Sequence, residues 1–125
     1  MQKYFFVKAN GKYVKIELQE ILYVEGCGNY LKIVTERRSH LVLITMKRME
    51  KLLPTYSFKR IHKSYIVSLD KIVEFDSERV SLKEKELPIG GQYRDELERS
   101  VVIAQDEAPV LNVPFNYLSQ KAYAS

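Results

Sequence analysis

The sequence predicts a mainly β fold, a β-rich α+β domain of antiparallel sheets with short helices, on three observations. The N-terminal residues alternate apolar and polar around Asn10-Gly11, the dipeptide best suited to a two-residue hairpin turn. Beyond it, short apolar runs rich in β-branched and aromatic residues are interrupted at close intervals by glycine, proline and charged clusters, the pattern of short strands. Only two segments keep helical spacing, and there is no strand–helix rhythm of the kind a parallel dinucleotide-binding sheet needs.

Taken in order, Phe5–Ala9 and Lys12–Ile16 flank the Asn-Gly turn. A two-residue turn sets Val7 opposite Val14 and Phe5 opposite Ile16 on one side. On the other side Lys8 meets Tyr13 and Phe6 meets Lys15, so the register sorts the apolar pairs onto a core face. Ile21–Glu25 reads as a buried strand, which Gly26-Cys27-Gly28-Asn29 should break because glycine permits a left-handed backbone. Tyr30–Thr35 resumes as a strand with Leu31 and Ile33 alternating against Lys32. Glu36–Ser39 turns the chain, and His40–Thr45 returns antiparallel. Met46, Met49, Leu52 and Leu53 lie at helical spacing, and Pro54 stops that helix. A basic segment follows, then a strand at Tyr65–Val67 and a turn at Ser68–Lys71. Ile72–Phe75, Val80–Leu82 and Glu86–Ile89 read as short strands. Gly90-Gly91 opens a last helix whose apolar stripe is Tyr93, Leu97, Ser100/Val101 and Ala104. Residues 106–125 lose all pattern and read as a tail; residues 4–105 form the domain.

Length and composition narrow the class. At 125 residues, 46% hydrophobic and 29% charged, the chain has the size and balance of one globular domain that needs no disulfide or metal staple. The single cysteine, Cys27, cannot form an internal disulfide and fits a reducing compartment. No apolar run reaches membrane-spanning length and no signal-peptide core is present, so a cytoplasmic location is expected. The net charge of +4 favours a polyanionic partner, and its clustering says more than its total. Residues 58–71 hold Lys59, Arg60, Lys63 and Lys71 against Asp70 alone, while residues 74–86 hold five acids against three cations. That contrast predicts a polarised surface.

The segment Phe58-Lys-Arg-Ile-His-Lys-Ser-Tyr65 is the strongest clue to a partner. Lys59, Arg60 and Lys63 offer cationic donors for phosphate oxygens, and His62, Ser64 and Tyr65 add neutral hydrogen-bonding groups. Alone, such cations read as solvated surface charges, and Asn29 between Gly28 and Tyr30 reads as an ordinary turn residue.

Three motifs in order carry more weight: Tyr-Val-Glu-Gly-Cys-Gly-Asn-Tyr-Leu-Lys-Ile (23–33), Phe-Lys-Arg-Ile-His-Lys-Ser-Tyr-Ile-Val (58–67) and Leu-Pro-Ile-Gly-Gly-Gln-Tyr (87–93). Together they resemble the LytTR family, the DNA-binding output domains of many bacterial response regulators, over roughly residues 4–103. The resemblance implies an elongated, mostly antiparallel fold whose loops enter successive grooves of duplex DNA. By position it implies base contacts from Asn29, Lys63 and Gln92. Backbone contacts or loop support fall to Lys59, Arg60, His62, Ser64, Gly90, Gly91 and Arg94. It also implies two-component signalling, with a receiver domain or sensor kinase upstream and tandem half-sites on DNA. The chemistry is consistent: Asn and Gln present the donor–acceptor pair that adenine matches in the major groove, and Lys reaches acceptor edges. Free amides after Gly90-Gly91 suit a phosphate.

For His62 two roles stand side by side, phosphate contact and a hydrogen bond to the backbone of its own loop. No catalytic constellation, metal-ligand spacing or cofactor fingerprint is evident, so a non-enzyme without cofactor or metal is expected. The expected behaviour is a monomer in solution that pairs on DNA. The alternative from another class is a protein-interaction module using a β edge or the tail aromatics Phe115, Tyr117 and Tyr123.

Overall fold

The computed structural model describes residues 2–105. Strands β1 (Tyr4–Ala9) and β2 (Lys12–Glu17) form the N-terminal hairpin. Its register pairs Phe5 with Ile16 and Val7 with Val14, as the two-residue turn requires. Asn10 and Gly11 both take positive φ, 52° and 74°, the geometry of a type I′ turn whose twist matches the strands.

The central sheet has five antiparallel strands in the order β5-β4-β3-β7-β6. These are β3 (Ile21–Cys27), β4 (Tyr30–Thr35), β5 (Ser39–Val42), β6 (Phe58–His62) and β7 (Tyr65–Ser68). Helix α1 (Met46–Leu52) interrupts the series. A second sheet follows, β10-β9-β8, built from β8 (Glu74–Phe75), β9 (Arg79–Ser81) and β10 (Glu86–Pro88). A 3-10 turn at Gly91–Tyr93 then leads into α2 (Arg94–Arg99).

Alternation along the central strands gives two apolar faces and therefore three layers. On one face Val24, Leu31, Ile33, Val42 and Ile66 pack with Phe5, Val7 and Ile16 of the hairpin and with Met49 and Leu53 around α1. On the other, Tyr23, Ile61 and Val67 pack with Val80, Leu87 and Ile89 of the small sheet and Leu97 of α2. At ~25 cal/mol per Å2 of apolar surface, such fully buried Ile and Leu side chains each contribute about 1.5–3 kcal/mol.

Several boundaries differ from the sequence expectation. Gly26 and Cys27 do not break β3. They stay paired with Leu31 and Tyr30, and only Gly28 turns left-handed, at φ 62°, as the first residue of a two-residue turn. Strand β5 stops at Val42 rather than Thr45 because Thr45 caps α1, its Oγ1 accepting the Arg48 amide at 3.1 Å. The strand expected over Ile72–Phe75 is confined to Glu74–Phe75. Helix α2 ends at Arg99, so Val101 and Ala104 do not continue its stripe; Ser100 turns back, its hydroxyl donating to the Glu96 carbonyl at 2.6 Å. The basic segment begins as a strand, β6, and its Lys63-Ser64 form the turn into β7. The tail residues 106–125, with Phe115, Tyr117 and Tyr123, lie outside the described residues.

Candidate nucleic-acid interface

Three turns gather at one end of the central sheet, and backbone hydrogen bonds link them. The β3–β4 turn carries Asn29 and the β6–β7 turn carries Lys63 and Ser64. Antiparallel pairing of Glu25 with Tyr65 brings these two turns side by side. The Gly26 amide donates to the Ser64 carbonyl at 2.9 Å. The third turn, Gly90–Tyr93, docks on the end of β6, where the Gly90 amide donates to the Ile61 carbonyl at 2.8 Å. Asn29, Lys63 and Gln92 are all exposed.

A bulge in β6 makes this possible. Arg60 pairs with Ile66 and His62 with Tyr65, which leaves Ile61 as the extra residue. Ile61 is fully buried in the second core, so it nails the strand down just before the turn. Arg60 points to the α1 side and His62 to the small-sheet side.

Arg60 braces the turn. Its Nη2 donates to the Lys63 carbonyl at 2.7 Å and its Nε to the His62 carbonyl at 3.3 Å. Nη1 meets Glu50 of α1 at 3.3 Å, and the guanidinium lies 5.8 Å from the centre of the Tyr93 ring. His62 takes the second of its two sequence-level roles: its Nδ1 accepts the Ser64 amide at 3.0 Å. The neutral ring therefore carries its proton on Nε2. Tyr65 lies against it, 5.6 Å between ring centres.

Below the tips a polar row crosses the sheet. Glu25 accepts from the Tyr65 hydroxyl at 3.2 Å and pairs with Lys32 at 3.3 Å. Burial, and then the negative charge of Glu25, push the Tyr65 hydroxyl above its ordinary pKa. The hydrogen bond to Glu25 holds the Lys32 ammonium above its own. Glu25 thereby ties β4, β3 and β7 together directly under the tips.

Tertiary structure brings acids to three of the four cations of residues 58–71. Lys59 pairs with Glu96 of α2 at 3.3 Å, Arg60 with Glu50, and Lys71 with Glu36 at 2.6 Å. The hydrogen bond from Lys59 lowers the pKa of Glu96. Lys63 alone of the segment's cations enters no ion pair among the described residues. Arg94 is also engaged, its Nε donating to the Ser77 carbonyl at 2.6 Å and tying α2 to the β8–β9 turn. Gly90 is a close-approach position, since a Cβ there would lie 3.1 Å from the Tyr93 ring and 3.7 Å from His62 Cα. Gly91 faces open space and leaves its backbone accessible. The helix that follows has only six residues, too short for a substantial dipole at its start.

Sequence reasoning missed Glu50, Glu25 and Tyr93 as supports of the site. Glu25 and Tyr93 fall within the motifs at 23–33 and 87–93, which was the signal available for them, whereas nothing local marks Glu50, which reaches Arg60 from α1. Asp76 of the acidic stretch is occupied locally: its Oδ1 accepts the amides of Glu78 and Arg79, both at 2.8 Å.

Known proteins share both the sequence pattern and the architecture. The family model for the LytTr DNA-binding domain matches residues 11–101. The sensory transduction protein LytT of Bacillus cereus is 29% identical over 92 residues, covering 69% of this chain and 37% of LytT. The heme-containing CO-sensing transcriptional regulator RcoM 2 of Paraburkholderia xenovorans is 32% identical over 68 residues, covering 54% of this chain and 26% of that protein. The chain thus spans little more than a third of LytT and about a quarter of RcoM 2. A solved LytTr DNA-binding domain from Bacillus cereus shares the fold, with a TM-score of 0.70 at 19% identity over 80% of this chain and 97% of that one.

Proposed function

The chain belongs to the LytTr DNA-binding domain family, and from that premise we propose that it binds duplex DNA sequence-specifically and regulates transcription. Asn29, Lys63 and Gln92 read base edges. Backbone phosphates are met by the amide of Gly91 and by the Nε2–H of His62, while Gly90 and Ser64, whose amides are bonded to Ile61 and His62, support the loops. Arg60, Lys59 and Arg94 act one step back, holding the turns. One observation carries the reading: three exposed polar tips, unpaired among the described residues, stand side by side on turns clamped to a rigid sheet edge. A tip held this way loses little freedom on binding, which favours affinity.

A single module of this size buries about 600–1,000 Å2 on DNA, so one copy binds modestly. Two copies on tandem half-sites gain through effective concentration, which makes the protein a monomer that pairs on DNA. In a longer regulator, a receiver domain or a sensor kinase upstream supplies the input.

Selection from a random duplex library, followed by anisotropy with Asn29→Ala, Lys63→Ala and Gln92→Ala, tests this. The expected result is an enriched motif and, for each variant, relaxed preference at a different base position. An unenriched library, or three variants indistinguishable from the parent, would overturn it.

A further inference from the structure

Most of the chain's net charge sits away from the three tips. Residues 1–17, to the end of β2, hold Lys3, Lys8, Lys12 and Lys15 against Glu17 alone, a net +3 of the chain's +4. None of the four lysines enters an ion pair among the described residues. All four are exposed. Among the described residues, no hydrogen bond links the hairpin to the tip-bearing turns.

The hairpin's outer face is also aromatic. Its inner face buries Phe5, Val7 and Ile16, yet the outward positions of the same strands carry Tyr4, Phe6 and Tyr13, which are 46%, 54% and 72% exposed. An outward sheet face is ordinarily polar. Across it Phe6 stands opposite Lys15, Lys8 opposite Tyr13, and Tyr4 opposite the exposed Glu17 at the end of β2. The Lys15 ammonium lies 4.6 Å from the centre of the Tyr4 ring and that of Lys8 lies 5.8 Å from Tyr13. Tyr4 and Phe6 meet edge to face, 5.9 Å between centres.

From this we infer that the outer face of the β1–β2 hairpin is a second binding surface, for single-stranded nucleic acid. Bases stack on Phe6, Tyr13 and the free side of Tyr4, and the interleaved lysines meet the phosphates. Non-specific single-strand sites are built this way, from aromatic platforms within a row of cations. Duplex DNA hides its base faces and could use only the lysines, leaving the rings without a role. An anionic bilayer would also accept lysines beside aromatics, but the hairpin's protruding turn is Ala9-Asn10-Gly11-Lys12, with no large apolar side chain to insert.

The test measures anisotropy of labelled dT and U 12-mers with the 125-residue chain, alongside sedimentation with vesicles of phosphatidylcholine and phosphatidylserine. Binding to at least one oligomer is expected, and which one wins separates DNA from RNA. Phe6→Ala and Tyr13→Ala should each weaken it roughly 5- to 150-fold. Lys8→Gln with Lys15→Gln serves as a second variant that leaves the rings in place. With Lys8 and Lys15 neutralising two phosphates, affinity should fall about 7-fold between 50 and 200 mM salt. Lys63→Ala should leave single-strand binding unchanged, so the surface stands or falls separately from the duplex-reading tips. Absence of binding, binding indifferent to Phe6 and Tyr13, or ring-dependent binding to vesicles in place of oligomers would each overturn the inference.

Discussion

Arg60 tests whether this interface is organised by braces rather than by direct phosphate contacts. Replacing it with alanine removes the 2.7 Å bond to the Lys63 carbonyl, a charge-assisted bond worth about 1.5–3 kcal/mol. The 3.3 Å contacts to His62 and Glu50 add less. Glu50 is nearly half exposed, and an ion pair in that setting contributes about 0–1 kcal/mol. The freed carbonyls sit at a turn, where water partly replaces the guanidinium. Arg60→Ala should therefore destabilise the fold by about 2–3 kcal/mol in urea titration. It should also weaken duplex binding roughly 2- to 10-fold, since Lys63 must then be ordered on binding. Arg60→Lys is the decisive variant. One ammonium cannot span both carbonyls and Glu50, so lysine should recover little of either loss. A simple phosphate contact behaves oppositely, with stability unchanged and lysine restoring affinity and salt slope. Wild-type stability and binding in Arg60→Lys would refute the brace.

Three further outcomes are expected. Lys63→Ala should cost roughly 1–3 kcal/mol on the preferred duplex and relax one base position; an even loss across sequences would make it a phosphate contact instead. Ile61→Ala should destabilise by about 2–5 kcal/mol in chemical denaturation, because the residue is fully buried beside the turn it anchors. A cost under about 0.5 kcal/mol, the ordinary range for a surface substitution, would show that the bulge does not rely on it. Stability should also fall with acid. Asp76, Glu36 and Glu96 have folded pKa values below their ordinary ones, lowered chiefly by hydrogen bonds from backbone amides, Lys71 and Lys59 respectively. The unfolded chain then binds protons first, so their contribution is complete above about pH 4.5 and is lost as pH falls through the folded values. Asp76→Asn should flatten that acid limb in pH-dependent melting; an unchanged limb would assign it to other groups.

Much of the fold was legible along the chain because its signals are local. The Asn10-Gly11 turn and alternation set every pair in the first hairpin, and the stripe through Met49 with Pro54 bounded α1. Boundaries failed where a residue serves a competing role. Thr45 left its strand to cap a helix, and Ser100 ended α2 by folding back on Glu96. Asn29, Lys63 and Gln92 were marked by motif, but the state of their neighbours was not. Arg60 read as either a phosphate contact or a support of the loops, and it sits as a brace because Glu50 and the turn carbonyls reach it through tertiary packing.

By itself the sequence determined most of the strand segments, though not β6, together with the register of the first hairpin and the family motifs, since periodicity and turn chemistry act over a few residues. Only the tertiary structure decided which charges remain free. Ion pairing depends on distance in space, and Glu96, Glu50 and Glu36 come from distant parts of the chain to Lys59, Arg60 and Lys71. The basic segment was thereby reduced to Lys63.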